Sequence, residues 1–461
     1  MPGEERFDAI VIGTGQAGPG LCGRLDAKGL KTAVIERKLL GGTCLNVGCI
    51  PTKTLVASAR AAQVARRGPE YGFSTGEVRV DMRAVKARKD QVVAHYSGGL
   101  TRWLEGMKNV TLVRGHGRFT AAHSVKVGDR TLVSDRIFIN VGGRASTPAL
   151  AGIDRVPYLT NSTMMDVDTV PGHLVIVGGS YIGLEFAQMY RRFGSQVTVV
   201  ERAPKLLPRE DDDVAAEIRA VLEREGVEIR TSAECIAFER KGGLVDVDLT
   251  CQEGEPVSEG THVLLAMGRV PNTDDLGLDA AGVKVDPRGY IEVDDECRTN
   301  VPGVWALGDV NGKGAFTHTS YNDYEIVAAN VLDGGSRRIS QRIACYGLFI
   351  DPPLGRAGMT EREARATGRR LLAGKVPMRN VGRARESGEM QGFMKVVVDA
   401  DTKEILGAAL LGLNGDEIVH SLLDAMYARA PYTTISNAVH IHPTVAEFIP
   451  TLLQDLKPLA P

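Results

Sequence analysis

One local pattern occurs twice in this chain of 461 residues, and it restricts the fold more than any other feature. In the first copy, FDAIVIGTGQAGPG runs from an apolar stretch into Gly13-Thr14-Gly15-Gln16-Ala17-Gly18, and KTAVIER then carries a second apolar stretch ending at Glu36. Strand, tight turn, helix and a strand closed by an acid is the order of a dinucleotide-binding βαβ unit. Gly13 permits the turn, Gly15 lets the backbone approach a pyrophosphate, and Gly18 lets the helix pack closely on the strand. The pyrophosphate would sit at the positive end of the helix, and Glu36 would accept hydrogen bonds from ribose hydroxyls. The second copy, HLVIVGGSYIGLEFAQMYRRFGSQVTVVER, puts Gly178, Gly183 and Glu201 in the same roles, with the same spacing from first glycine to acid. Ser180 replaces the middle glycine, and Gly179 beside it is expected to ease the approach of the phosphate. Two such units imply an α/β chain with two Rossmann-like domains, most simply a flavoprotein that also uses a nicotinamide cofactor.

With 43% hydrophobic and 24% charged residues, the chain can bury a sizeable core and is expected to form about two to four domains. The 55 Lys and Arg against 57 Asp and Glu leave a net charge of -2, and no basic run stands out. Neither nucleic acid nor a membrane surface is therefore indicated as a partner. MPGEERFDAIVIG is acidic and enters an apolar strand directly, without the basic flank, apolar core and cleavage site of a secretory signal. No apolar run has the length of a membrane span, and a cytoplasmic location is expected.

Seven cysteines, an odd number scattered through a large chain, do not resemble a secreted disulfide framework. Cys22, Cys235, Cys251, Cys297 and Cys345 are expected to be small buried apolar residues. Cys44 and Cys49 differ, because GGTCLNVGCIPTK holds them close together beyond Glu36. A hydride carries two electrons, a disulfide accepts two as it opens, and a flavin can relay between them. The following TKTLVASARAAQVARR reads as an alanine-rich helix with Pro51 in its first turn, which puts both sulfurs at or near the helix N-terminus. The dipole there favours thiolate over thiol.

GGTCLNVGCIPTK closely resembles the redox-active disulfide motif of the class I pyridine nucleotide-disulfide oxidoreductases, which include glutathione reductase, dihydrolipoyl dehydrogenase and mercuric reductase. The resemblance extends over nearly the whole chain. It implies an FAD flavin with the disulfide on one face and NAD(P)H on the other. Cys49 would be the charge-transfer thiolate against the flavin and Cys44 the interchange thiol that meets substrate. Gly42 and Thr43 fall in the cofactor-binding part of the motif, Lys53 matches the lysine near the flavin ring, and Glu185 in YIGLE matches its acidic partner. Tyr181 falls where the family has an aromatic gate over the nicotinamide pocket. VWALGDVNG matches the second flavin motif, in which Asp309 would bind the ribityl chain. INVGGRAS and GRVPNT, with Gly142 and Gly268, resemble the crossings between flavin and nicotinamide domains. The implied domains are 1–142 and 266–335 for FAD, 143–265 for NAD(P), and 340–461 for dimerisation.

From about residue 340 the chain alternates apolar strands such as GFMKVVVDA with amphipathic helices such as GDEIVHSLLDAMYARA, an α+β pattern. HIHPTVAEF, near its end, resembles the family's catalytic-base motif, with His442 as acid/base and Glu447 as its orienting carboxylate. His440 is expected to be structural. The resemblance implies a homodimer with composite active sites, His442 reaching the disulfide of the other subunit, and no resident metal site. Glu201 favours NADH over NADPH, because a carboxylate binds a ribose 2′-OH and repels a 2′-phosphate, although Arg202, Lys205 and Arg209 follow closely. DLKPLAP carries no vicinal cysteine pair and the HPT histidine is kept, which speaks against mercuric reductase itself. GAFTHTSYNDYEIV, DPPLGRAGMTE and GRARESGEMQG look closest to the reactive-chlorine-resistance flavoenzymes, a mercuric-reductase-like branch linked to oxidant defence and to reduction of metal ions. The substrate would be a small-molecule disulfide or a thiophilic metal ion. The alternatives are a dihydrolipoyl dehydrogenase or glutathione-reductase-like enzyme and, in another class, a redox-sensing flavoprotein, which would not need His442 and Glu447.

Overall fold

The computed structural model describes residues 4–250 and 255–459, apart from the side chain of Cys235. The chain divides into two compact units, one of Met1–Thr54, Lys86–Ser146 and Met267–Arg342, the other of Leu55–Val85, Thr147–Ala266 and Ile343–Pro461.

The first unit is built on a five-stranded parallel sheet in the order Val304–Ala306, Ile137–Ile139, Ala9–Ile12, Thr32–Glu36, Val110–Arg114. AIVI, TAVIE and IFI are buried at every position, as continuous apolar strands covered on both faces must be. The crossover helix Ala17–Ala27 buries Ala17, Leu21 and Leu25 against Phe138, Leu307 and Val327. The chain order reverses across Ala9–Ile12, with Thr32–Glu36 on one side and Ile137–Ile139 on the other. That reversal opens a crevice beyond the carboxyl end of the strand, where Gly13 lies.

The second unit repeats the device. Its four-stranded parallel sheet runs Glu228–Arg230, Gln196–Val200, His173–Val177, His262–Leu265, again with the glycine-bearing strand at the reversal. An antiparallel sheet of six strands follows, ordered Cys345–Leu348, Leu354–Gly358, Ile405–Leu411, Phe393–Asp399, Leu371–Pro377, Lys457–Pro458. Helix Gly415–Tyr427 covers it with Val419, Leu422 and Leu423. The expected α/β fold, with two parallel nucleotide-type sheets and a C-terminal α+β module, is the one found. Among the described residues no helix is long and apolar enough to cross a membrane.

Cys22 and Cys297 are buried as expected. Cys345 is not: it begins an edge strand paired on one side only, and stays half-buried. The Cys235 side chain and Cys251 lie outside the described residues.

Candidate active site

Gly13 makes the first turn at φ 100°, a conformation natural to glycine, and a Cβ there would meet the Asn140 carbonyl oxygen at 2.3 Å. A Cβ on Gly18 would come within 2.5 Å of the Gly13 carbonyl oxygen, so the helix rests directly on the turn. One carboxylate oxygen of Glu36 accepts from Thr14 N at 3.0 Å and Thr14 Oγ1 at 2.6 Å; the other accepts from Lys38 N at 2.8 Å. Asn140 Nδ2 donates to the Gly15 carbonyl at 3.0 Å. The cysteine-bearing segment lies against this turn: a Cβ on Gly42 would be 2.9 Å from Gly15 Cα, and Gly41 N donates to Thr14 Oγ1 at 3.2 Å. A bare-backbone turn at a helix N-terminus beside a fixed carboxylate has the donor set and close approach that a dinucleotide needs, so these residues fit FAD. Thr14 and Asn140 escaped the sequence reading; Asn140 stands at the INVGG stretch, which was read only as a crossing.

The second turn has the same construction. Gly178 sits at φ 120°, and a Cβ on Gly183 would lie 2.0 Å from the Gly178 carbonyl oxygen. Glu201 accepts from Gly179 N at 2.7 Å on one oxygen and Ala203 N at 2.8 Å on the other, the counterpart of Glu36. The expected part for Gly179 changes. A Cβ there would meet Leu206 Cδ2 at 2.6 Å and Glu201 Cβ at 2.9 Å, so the missing side chain makes room for these neighbours. Ser180 is the N-cap residue of helix Tyr181–Phe193. Tyr181 donates to Glu210 Oε1 at 3.1 Å, and Glu185, buried, accepts from Phe349 N at 3.1 Å. Lys205 is engaged by the Glu210 carbonyl at 2.8 Å and by Asp212 at 2.5 Å, whereas Arg202 and Arg209 are exposed.

Cys44 and Cys49 are not bonded to each other but lie within hydrogen-bonding reach. They do not share one helix start: Cys44 lies in the short helix Gly42–Asn46, and Cys49 begins helix Cys49–Arg66, which also carries Pro51 and Lys53. Gly48 makes the link, since a Cβ there would meet the Thr43 carbonyl at 2.8 Å. The half-buried Cys44 has its pKa raised, first by its hydrogen bond with Cys49, then by burial and by the charge on Cys49, while Thr317 acts in the opposite direction. Cys44 is therefore pushed away from the thiolate by its neighbour, against the direction in which the helix dipole acts. Cys49 Sγ is exposed and 3.3 Å from Thr317 Oγ1. Thr317, first residue of helix Thr317–Asp333, is a site residue that the sequence reading passed over.

Strands Gly143–Ala145 and Arg269–Pro271 pair antiparallel, so the two crossing segments meet, with Gly142 and Gly268 at positive φ beside them. Arg269 reaches Asp309 at 3.7 Å, the Gly143 carbonyl at 2.5 Å and Thr43 Oγ1 at 3.4 Å. Burial pushes the Asp309 carboxyl up from the usual range, opposed by the Arg269 charge. The turn carrying Asp309 is held by buried Asp323, which accepts from Gly308 N at 2.8 Å and Asn311 Nδ2 at 2.9 Å and pairs with Arg342.

In the second unit, His442 Nδ1 lies 2.9 and 3.1 Å from the two carboxylate oxygens of Glu447. Thr444 Oγ1 donates to the Ile441 carbonyl at 2.7 Å and accepts from Glu447 N at 3.2 Å, which ties the main chain at Glu447 to the turn that carries His442. The His442 side chain is 81% exposed, and Val439 and Ile441 beside it are 100% and 81% exposed. His440 Nδ1 lies 3.2 Å from the nearby Ala438 carbonyl oxygen.

Comparison with known proteins agrees with this geometry. Residues 7–324 match the model of the pyridine nucleotide-disulphide oxidoreductases, and residues 345–453 match that family's dimerisation domain. The chain is 35% identical over 461 residues to the probable pyridine nucleotide-disulfide oxidoreductase RclA of Escherichia coli (strain K12), covering 98% of this chain and 100% of the other. It is 33% identical over 458 residues to a dihydrolipoyl dehydrogenase of Cupriavidus necator, covering 96% of each. The solved Cu(II) complex of the HOCl-induced flavoprotein disulfide reductase RclA from Escherichia coli superposes with a TM-score of 0.89 at 34% identity, over 98% of this chain and 99% of that one. Members of the family depend on FAD and use pyridine nucleotides, and the dimerisation domain supports a homodimer. With two nucleotide turns, a dithiol built against the first and a histidine–carboxylate pair, the chain belongs to the pyridine nucleotide-disulfide oxidoreductases.

Proposed function

We propose that the chain is an FAD-dependent NADH oxidoreductase that passes electrons to the Cys44–Cys49 disulfide and on to a small-molecule disulfide or a thiophilic metal ion. The observation that carries this reading is the contact of the cysteine segment with the first nucleotide turn, Gly42 against Gly15, with Thr317 at the sulfurs. FAD, when bound, relays the electron pair of the nicotinamide hydride to the disulfide. FAD is held by residues 1–142 and 266–335, through Gly13, Gly15, Gly18, Glu36, Gly42, Thr43, Gly142, Gly268 and Asp309; the nicotinamide nucleotide by residues 143–265, through Gly178, Gly183 and Glu201; and residues 340–461 form the dimerisation domain.

Reduction opens the disulfide to two thiols. Cys44, relieved of its proton by a base, attacks one sulfur of a substrate disulfide; the mixed disulfide forms and the other substrate thiolate leaves, protonated by His442. Cys49 then attacks the Cys44 sulfur, which re-forms the internal disulfide and releases the second substrate thiol. Glu447 orients His442, Thr317 steadies the thiol pair, and Lys53, Glu185 and Tyr181 serve the flavin and nicotinamide side. His442 acts on the disulfide of the other subunit, a reading supported by its exposure beside apolar Val439 and Ile441. NADH is preferred because Glu201 is fixed by Gly179 and Ala203, while Lys205 is occupied by Asp212.

A metal-ion acceptor is supported by the Cu(II) complex of the Escherichia coli relative. Steady-state NADH and NADPH oxidation with a panel of disulfides, Cu(II) and Hg(II) tests the proposal. Turnover with one acceptor class and a higher kcat/KM for NADH is expected. Stoichiometric reduction without turnover on any acceptor would instead favour a redox sensor, and equal use of NADPH would overturn the assignment of Glu201.

A further inference from the structure

The segment from Glu201 to Glu210 is tied to the second glycine turn at Glu201, Leu206 and Leu207, and through Glu210 to the first residue of the helix that follows it. Glu201 accepts from Gly179 N at 2.7 Å, Leu207 N donates to the Gly179 carbonyl at 3.0 Å, and Leu206 occupies the space where Gly179 lacks a side chain. Leu207 holds a φ of 48°, a left-handed conformation that residues with a side chain adopt only at a cost, so its surroundings must enforce it. At the far end, Glu210 N donates to the Leu207 carbonyl at 2.8 Å, and the Glu210 side chain is wholly buried. Its Oε1 accepts from two phenols, Tyr181 at 3.1 Å and Tyr346 at 2.6 Å, whose rings meet edge to face at 5.4 Å. Its Oε2 faces Arg356 Nε at 3.5 Å. Burial and the Glu210 charge raise both phenols, Tyr346 to about 12, which keeps them hydrogen-bond donors at neutral pH.

We propose that residues 201–210 form a strap closed over the second nucleotide turn, and that Tyr181, Glu210 and Tyr346 are positioning residues that latch it. The inference rests on the reading of this turn as the nicotinamide-nucleotide site. It goes further in assigning Glu210 and Tyr346, and in placing the influence of Tyr181 beyond its own neighbourhood. The strap starts at the acid that meets the ribose and ends at the residue hydrogen-bonded to the first residue of the helix. Loosening the Glu210 end lets the strained Leu207 relax, and that motion reaches Glu201 through the bonds on Gly179. A latch of this kind serves the adenosine half of the ligand as much as the nicotinamide half.

Calorimetric titration of the FAD-loaded enzyme with NAD⁺ and with ADP-ribose, which lacks the nicotinamide ring, separates the two halves without turnover. Tyr346→Phe and Tyr181→Phe are mild replacements, and an unchanged flavin spectrum marks folded holoenzyme. Each is expected to weaken NAD⁺ and ADP-ribose alike, by about tenfold or more, the scale of one hydrogen bond to a charged acceptor. Amide hydrogen exchange across residues 201–210 should rise in both variants and fall again with saturating ADP-ribose. Weaker NAD⁺ binding with ADP-ribose unaffected, or unchanged exchange in the strap, overturns the latch. Failure of the unaltered enzyme to bind either ligand overturns the underlying reading of the site.

Discussion

Both carboxylate oxygens of Glu447 face Nδ1 of His442, at 2.9 and 3.1 Å, which leaves Nε2 as the ring nitrogen for proton traffic. A donor at Nδ1 fixes the tautomer and steadies the imidazolium that forms when Nε2 takes a proton. His442→Ala should therefore lower kcat with a disulfide acceptor by about 10²- to 10⁴-fold. Glu447→Ala should cost less, on the order of tenfold, because the base survives without its orienting partner. Equal losses in the two variants would show that Glu447 does more than orient.

Subunit complementation tests where His442 acts. Mixing inactive Cys44→Ser and His442→Ala proteins under exchange conditions should restore activity, since some heterodimers then hold one site with native Cys44 and native His442. No recovery despite exchange demonstrated by mass spectrometry would place the base and the thiols on one chain.

The two thiols should separate by spectrum and by alkylation. Cys44→Ser should leave a Cys49 thiolate against oxidised flavin and give a long-wavelength absorbance band, which Cys49→Ser should lack. The hydrogen bond with Cys49 and the Cys49 charge raise the Cys44 pKa. Removing Cys49 lowers that pKa, increases the thiolate fraction at pH 8, and should speed alkylation of Cys44 relative to the reduced parent enzyme. Thr317 lowers the Cys44 pKa, so Thr317→Val should slow it.

Gly179→Ala offers a clean lesion in the second nucleotide turn. The added Cβ would lie 2.6 Å from Leu206 Cδ2 and 2.9 Å from Glu201 Cβ, and the strap end and the acid must move apart. KM for NADH should rise about tenfold or more, while the FAD content per chain, read from flavin absorbance, stays at one. Loss of FAD in this variant would contradict the assignment of the two turns.

Features written into contiguous residues were legible in the sequence. The turn from Ile12 to Gly18, the strand ending at Glu36 and their second copy depend on neighbours in the chain, so apolar runs, glycines and a closing acid announce them. His442 and Glu447, five residues apart, were legible for the same reason. Thr317 was not: its contact with Cys49 spans 268 positions, and a threonine at a helix start has an ordinary capping explanation. Asn140 and Asp323 act through bonds to Gly15 and Gly308 that only the assembled sheet and helix bring within reach. Less legible was the local path at Cys44: the tight link at Gly48 sets it in a short helix of its own, ahead of the helix that Cys49 begins.

Glu36 and Glu201 each bridge the glycine turn to the backbone just beyond their own strand, through protein groups alone. Each glutamate is thus a ruler of fixed length between two pieces of main chain, and aspartate, shorter by one methylene, would not span the gap. Bonds of this kind need no ligand to close them, so both sockets are expected to form as the chain folds. Protein stripped of FAD at neutral pH should keep its far-ultraviolet circular dichroism and regain flavin in a single second-order phase; a slow first-order ordering step after mixing would mean that the ligand completes the mould.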